Sequence, residues 1–181
     1  MIDLGSYNSW EKSEKRKINN LSIAIAIILV IPSVIIISSI WLRTGYDILK
    51  LAWFILLILP MIPIHELIHG AFQWIFSKKP AKLGFAFPFP FSQMAYGVSI
   101  SRNKAAIVAL APFLFFALLL ILIPLANSIM QIGIVILFWF NTSTCSGDFR
   151  FTSWLLKYPK SARIRLEGDN TIVFDLNNGG I

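Results

Sequence analysis

The chain has 181 residues, of which 56% are hydrophobic and 14% are charged, and its net charge is +7. Ordinary globular domains contain about 45–50% apolar and about 25% charged residues. The composition therefore excludes a typical water-soluble domain and predicts a partner in the lipid bilayer. The positive charge does not indicate nucleic-acid binding, because the basic residues cluster beside apolar runs, where they orient spans and contact anionic lipid. A single cysteine, Cys145, excludes an internal disulfide.

Four apolar runs are predicted to be transmembrane helices, since about 20 apolar residues span the hydrocarbon layer. If the amino terminus is cytoplasmic, 14 of the 16 basic residues lie on the inner side and only Arg43 and Lys50 lie outside. This bias predicts that both termini are inside. We therefore predict an all-α, multi-pass integral membrane protein with four transmembrane helices. The helices are expected at residues 21–42, 51–76, 105–126 and 129–145.

Two stretches outside these helices are predicted to form β-hairpins. Residues 83–91 alternate with a period of two, and residues 94–100 follow as a return strand, with an aromatic interfacial loop as the alternative. Residues 163–176 resemble a soluble hairpin that turns at Gly168-Asp169-Asn170. The predicted division is a tail at 1–20, a four-helix membrane domain at 21–148 and a carboxy-terminal segment at 149–181.

The chemistry is concentrated in the sequence His65-Glu66-Leu67-Ile68-His69, which holds both histidines of the chain. On a helix the two imidazoles are one turn apart on the same face, so both can bind one ion. Glu66 lies beside them and is free to handle the proton of a bound water. An ionisable residue at the centre of a spanning helix costs roughly 2.5–3.5 kcal/mol on insertion scales, so this cluster predicts a functional site.

A catalytic zinc usually has three protein ligands, and no third histidine exists. Asp148 is the acidic residue at the inner end of a predicted span, so we predict it as the third ligand, with the Cys145 thiolate as the alternative. Asn141 precedes it on the same helical face and is predicted to bind the substrate backbone or to orient a ligand. A hydrogen bond between helices is an equally good interpretation of Asn141. Gln73 either supports the ligands or is an interfacial residue.

The order of these motifs resembles a known class of enzymes. His65-Glu66-Leu67-Ile68-His69 on one span, a strand-like loop, a third span and then Asn141 to Ser146-Gly147-Asp148 is similar to the site-2 protease type of intramembrane metalloprotease. It more closely resembles a bacterial family of small zincin membrane peptidases. The resemblance covers residues 50–160 and implies a zinc ion at His65, His69 and Asp148, Glu66 as the base, and a site reachable from the cytoplasm. It also implies that the 83–100 hairpin offers an edge to an extended substrate.

From these residues we predict a zinc-dependent intramembrane metalloprotease in the bacterial cytoplasmic membrane. Its expected substrates are membrane proteins or membrane-associated peptides. The first alternative is a non-catalytic metal-binding membrane protein, such as a transport or sensing subunit, which would use the same ligands without needing Glu66 as a base. The second alternative is a purely structural helix bundle. The sequence does not determine an oligomeric state.

Overall fold

The fold is mixed α/β, with five α-helices and six β-strands among the residues that the structure describes. The structure is a computed structural model, and it describes residues 2–8, 11–44, 56, 59–86, 89–93, 97–167 and 170–175. The helices are α1 (Lys12–Thr44), α2 (Met61–Ser77), α3 (Arg102–Leu119), α4 (Ser128–Thr144) and α5 (Ser146–Leu155). A 3₁₀ segment at Leu120–Leu125 extends α3.

The strands form two antiparallel sheets. They are β1 (Ile2–Tyr7), β2 (Lys82–Ala86), β3 (Phe89–Gln93), β4 (Ser99–Ser101), β5 (Arg163–Glu167) and β6 (Asn170–Asp175). One sheet has the order β1-β6-β5-β4, and the other is the pair β2-β3. The first sheet therefore joins segments from the beginning, the middle and the end of the chain.

The prediction of an all-α protein with four transmembrane helices is wrong. Helices do form in the apolar runs, but the polar segments between and around them pair into a sheet, which hydropathy cannot detect. Helices α2 and α4 each have 17 residues, which is below the roughly 20 needed to span a membrane. Within the described part of the chain, one helical segment, Arg102–Leu125, is long and apolar enough to cross a membrane.

The predicted hairpin between the histidine helix and α3 does form, but its strands are shifted from the predicted ones. Its strands are β2 and β3, and Leu83 lies opposite Ser92. The predicted return strand at 94–100 is wrong in its pairing, because Ser99–Ser101 joins β5 in the larger sheet and residues 94–96 lie outside the described residues. Gly84 lies opposite Phe91, and the Phe91 ring occupies the space where a Cβ at Gly84 would be.

The predicted carboxy-terminal hairpin is confirmed as the pair β5-β6, with Glu167 opposite Asn170. It is part of the larger sheet, however, because β1 pairs with β6. The segment predicted as a tail at 1–20 contains β1 and the first residues of α1, so the two ends of the chain fold against each other. The predicted turn residues Gly168 and Asp169 lie outside the described residues.

The main hydrophobic core lies between the four-stranded sheet and the ends of α2, α3 and α5. Leu155 of α5 is completely buried in it, which by itself stabilises the fold by about 1.5–3 kcal/mol. The buried Arg102 at the start of α3 donates to the Tyr158 carbonyl at 2.6 Å, which fixes this end of α3 to the segment before β5. The core members are Val98, Ile100, Ala105, Val108, Leu155, Ala162, Ile164 and Val173.

Candidate metal centre

Helix α2 carries both histidines on one buried face. The helix begins at Met61, and Pro63 lies in its first turn, where a missing backbone N–H costs nothing because no intrahelical acceptor is available there. His65 and His69 are both buried, and their Nε2 atoms are 3.1 Å apart. The spacing of one helical turn therefore brings the two rings together, as the sequence predicts.

The orientation of His69 depends on a proline in the neighbouring helix. Pro112 in α3 has no backbone N–H, so the carbonyl of Val108, four residues earlier, has no helical donor. This carbonyl lies 2.8 Å from His69 Nδ1. Because a carbonyl oxygen can only accept, Nδ1 carries the proton and donates it, and Nε2 is left with its lone pair. Sequence reasoning missed Val108, although Pro112 is the signal that could have identified it.

The orientation of His65 depends on Asn141 of α4. The Asn141 side chain is completely buried, and its Oδ1 lies 2.9 Å from His65 Nδ1. Its Nδ2 donates to the Pro112 carbonyl at 3.3 Å, which fixes the amide orientation and leaves Oδ1 as the acceptor. His65 therefore donates from Nδ1 and also keeps a free Nε2. Of the predicted roles of Asn141, this geometry favours ligand orientation, because the side chain is not exposed to the cavity beside the histidines.

Asp148 reaches the histidines because the chain makes a break after α4. Helix α4 ends at Thr144, Cys145 lies between the two helices, and α5 begins at Ser146. Asp148 is in the first turn of α5, where the helix dipole favours a carboxylate. Its Oδ2 is 3.3 Å from His65 Nε2, and its Oδ1 is 3.2 Å from His69 Nε2.

Three acceptor groups thus converge on one point. Two imidazole lone pairs and a carboxylate at 3.1–3.3 Å repel one another unless a cation lies among them. When a proton rather than a metal ion lies among these groups, burial opposes the charge of Asp148, but hydrogen bonds with His65 and His69 hold the pKa of Asp148 below its usual value. Burial likewise opposes protonation of His69, but its hydrogen bond with Asp148 raises its pKa overall. The site is therefore built to hold positive charge.

The donor set fits zinc. A tetrahedral zinc ion with ligand bonds of about 2.0–2.1 Å holds its ligand atoms about 3.3 Å apart, and the two Nε2 atoms and the Asp148 oxygens have this spacing. Both Nδ1 atoms are occupied by protein acceptors, as in metal sites where a backbone or side-chain oxygen orients each histidine. His65, His69 and Asp148 would hold the ion, and the fourth position would be open.

Cys145 lies close enough to be considered as a ligand. Its Sγ, a ring nitrogen of His65 and a carboxylate oxygen of Asp148 lie within 4.8 Å of one another. Cys145 is completely buried, and this burial, together with the charge of Asp148, raises the pKa of its thiol. The neutral thiol accepts a long hydrogen bond from Asn141 Nδ2 at 3.5 Å. Asp148 is the better placed of the two candidates for the third ligand.

Glu66 faces a cavity of about 330 Å³ together with His69 and Asp148. Its Oε2 accepts a hydrogen bond of 2.7 Å from the backbone N–H of Ser92 in β3. This N–H points to Glu66 and not to β2. Residues two apart in a strand direct their N–H positions to the same edge, so Pro90, which has no N–H, lies on the same edge of β3 as Ser92. This edge therefore has no free backbone donor at Ser92 or Pro90, and the hairpin serves to hold Glu66 in place.

Two further polar residues line the cavity. Gln73, which the sequence left between two roles, lies there on the same face of α2 as Glu66 and His69. Tyr7 of β1 also lines the cavity, and sequence reasoning missed it. No local signal could have identified Tyr7, because its position depends on the pairing of β1 with β6, more than 160 residues away.

The fold and the site together define a zincin-type metal centre: a His-Glu-x-x-His helix whose two imidazoles are joined by a carboxylate from a later helix. A family model with the description "Putative zincin peptidase" matches residues 58–163, which is more than half of the chain. The chain therefore belongs to this zincin peptidase family, and membership indicates a zinc metallopeptidase. No curated protein and no solved structure matches the chain.

Proposed function

We propose that this protein is a zinc-dependent peptidase that hydrolyses peptide bonds of membrane-associated proteins or peptides. The observation that carries this proposal is the convergence of His65, His69 and Asp148, with Glu66 beside them at a cavity. A purely structural bundle has no need to bring two imidazoles and a carboxylate together at one buried point beside a cavity.

Each residue has a distinct task in this reaction. His65, His69 and Asp148 would hold a zinc ion, which would supply Lewis-acid chemistry at the scissile bond. Glu66, with Oε2 anchored by Ser92, accepts the proton of the attacking water at its other carboxylate oxygen. As the carbon–nitrogen bond breaks, Glu66 delivers this proton to the leaving amine. Asn141 and the Val108 carbonyl keep both imidazoles in the tautomer that binds metal.

The proposed site of action is the bacterial cytoplasmic membrane. Supporting this, the segment Arg102–Leu125 is long and apolar enough to cross a bilayer. Large apolar side chains on other helices are also exposed, among them Ile28 of α1 and Trp74 of α2. An unusually large exposed apolar surface is typical of lipid or protein contact. Cleavage within the membrane, as in site-2 proteases, is part of this proposal because Glu66 and the histidines lie on an apolar helix beside that segment.

The test measures zinc content and peptide cleavage in detergent-purified protein. Wild type, His65→Ala, Asp148→Ala and Glu66→Gln are analysed by mass spectrometry for zinc and with a library of quenched fluorescent peptides for hydrolysis. We expect about one zinc ion per chain in wild type and Glu66→Gln, and little in the two ligand variants. We expect cleavage to fall about 10²–10⁴-fold in Glu66→Gln, the usual contribution of an acid–base residue.

A substitution of an exposed carboxylate, Glu11→Gln, is the matched control and should change neither zinc content nor cleavage. Wild-type activity in Glu66→Gln would contradict the mechanism. A wild type that binds zinc but cleaves none of the peptides would instead favour the non-catalytic metal-binding alternative. Zinc retained in Asp148→Ala would contradict Asp148 as the third ligand and leave Cys145, Asn141 or a two-histidine site.

A further inference from the structure

Two buried polar atoms at the cavity have no hydrogen-bond partner in the part of the chain that the structure describes. They are the hydroxyl oxygen Oη of Tyr7 and the amide oxygen Oε1 of Gln73. Both residues line the same cavity as Glu66, His69 and Asp148. Since nearly all buried polar groups in folded proteins are paired, such exceptions need an explanation. Of the four such atoms in the described residues, Trp139 Nε1 and Thr152 Oγ1 belong to residues that do not line the cavity, whereas the other two share it and are available to a molecule that enters it.

Tyr7 is held in place by its ring and not by its hydroxyl group. The ring packs against Phe151 and Trp154 of α5, with centroids 5.3 Å and 5.2 Å away. Only 7% of the residue is exposed. Burial, with an added contribution from the charge of Glu14, raises the pKa of Tyr7 to about 12. The hydroxyl therefore keeps its proton at neutral pH and can donate a hydrogen bond.

Gln73 offers the complementary group in the same cavity. It lies four residues after His69 and seven after Glu66 in α2, so all three share one face of the helix. An amide oxygen can only accept a hydrogen bond. The cavity thus presents one unpaired donor and one unpaired acceptor beside the base and the ligand Asp148.

We propose that Tyr7 and Gln73 are the residues that hold the backbone of a peptide substrate at the metal centre. Tyr7 donates to the carbonyl oxygen of the scissile bond, and Gln73 accepts from a neighbouring backbone N–H of the substrate. A peptide backbone carries both groups, whereas an isolated anion or cation would satisfy only one. This inference rests on the proposed peptidase function. Tyr7 lies outside residues 58–163, so strand β1 adds a cavity residue that the region matched by the family model does not contain.

Tyr7→Phe tests the donor role. Charge develops on the carbonyl oxygen during attack, so loss of the hydroxyl should lower kcat by about 10²–10³-fold while KM changes little. The ring contacts with Phe151 and Trp154 are kept and an unpaired hydroxyl is removed, so Tm should stay the same or rise. Tyr158→Phe is the matched control, because Tyr158 also packs on Trp154 but does not line the cavity.

Gln73→Met tests the acceptor role. A hydrogen bond to the substrate backbone is present before and during the reaction, so its loss should raise KM about threefold to tenfold with kcat almost unchanged. Binding is measured independently of chemistry in the Glu66→Gln protein. The probe is a fluorescein-labelled peptide that the wild type cleaves; if no peptide is cleaved, it is one that binds to the Glu66→Gln protein. Its fluorescence anisotropy should show the same loss of affinity when Gln73→Met is added to Glu66→Gln.

The outcomes separate this inference from the peptidase function. Unchanged kcat in Tyr7→Phe, or a fall in Tm that parallels its loss of activity, would overturn the role of Tyr7. Equal peptide affinity with and without Gln73→Met in the Glu66→Gln background would overturn the role of Gln73, whether or not wild type cleaves the peptide. Absence of cleavage by zinc-loaded wild type would count against the peptidase function but not against the contact between Gln73 and a bound peptide. The anisotropy measurement tests that contact without cleavage.

Discussion

At the scale of single residues, the metal centre depends on two groups that are not ligands. The Val108 carbonyl is available to His69 because Pro112 supplies no N–H to it. Asn141 accepts from His65 and donates to the Pro112 carbonyl. Pro112 thus leaves the Val108 carbonyl free to accept from His69, and its own carbonyl accepts from Asn141, which orients His65. Together these contacts leave both Nε2 atoms unprotonated and directed at Asp148.

Replacing Asn141 tests this arrangement. Asn141→Ala leaves the buried Nδ1–H of His65 without its acceptor, and loss of such an orienting group typically lowers metal affinity about 10–100-fold. Asn141→Asp keeps an acceptor oxygen and should recover part of the loss. The measurement is a zinc titration against a competing chelator. Thr142→Ala is the matched control, because its buried hydroxyl donates only to Phe138 of the same helix. Unchanged zinc affinity in Asn141→Ala would contradict the orienting role.

At the scale of elements, α5 carries Asp148 and is tied to α1 by an ion pair. Arg150 donates to Glu14 through Nε at 3.0 Å and Nη2 at 3.3 Å, so the pair is bidentate. Hydrogen bonds from Arg150 and then Lys17 lower the pKa of Glu14 to about 2. The amino-terminal helix therefore supports the position of the metal-site helix.

This ion pair gives stability a defined pH dependence. Because the pKa of Glu14 is lower in the folded state than its ordinary 4.5, its stabilisation is present above pH 4.5 and is lost as the pH falls towards about 2. Glu14→Gln should lower the unfolding free energy by about 1 kcal/mol at pH 7. The difference in Tm between wild type and Glu14→Gln should therefore shrink on acidification below pH 4.5.

Thermal unfolding in detergent over this pH range is the measurement. Glu11→Gln, which changes an exposed carboxylate of the neighbouring turn, is the control and should change Tm less than Glu14→Gln does at pH 7. A Glu14→Gln difference that stays constant down to pH 3 would show that the ion pair does not stabilise α1 against α5.

At the scale of the whole molecule, a sheet built from distant segments covers one end of a group of apolar helices. Strands β1, β4, β5 and β6 bring together the regions before α1, between α2 and α3, and after α5. The second and third of these regions hold seven of the 16 basic residues. The helices expose large apolar side chains, which is the distribution expected of a protein that contacts a bilayer.

The membrane contact can be tested on the segment Arg102–Leu125. Leu114, Leu118 and Ile121 are exposed and lie on one face of it. Wild type should stay in the membrane pellet after an alkaline carbonate wash. The triple variant with Leu114→Lys, Leu118→Lys and Ile121→Lys should be released by the wash, since each lysine costs roughly 2.5–3.5 kcal/mol near the membrane centre. Leu156→Lys, an exposed leucine beyond α5, is the control. Release of the wild type by the same wash would contradict membrane insertion.

The sequence alone predicted which residues the structure brings together at the site, because its signals are local or leave few alternatives. His65 and His69 share a face through helical spacing, and Asp148 follows because few acidic residues remain for a third ligand. The predicted pair β5-β6 was also recognisable, since its strands are adjacent in the chain. The helix expected at 129–145 agrees within one residue with α4 at Ser128–Thr144, because a long apolar run is also a local signal.

Only the tertiary structure decided the fold class and the shape of the cavity. Hydropathy measures the length of apolar runs, so it could not detect that β1 pairs with β6 or that the three-residue strand β4 joins β5. The contacts of Val108 with His69, Ser92 with Glu66, and Tyr7 with α5 all join residues far apart in sequence. Such contacts are set by packing, and packing has no local periodicity that a single sequence reveals.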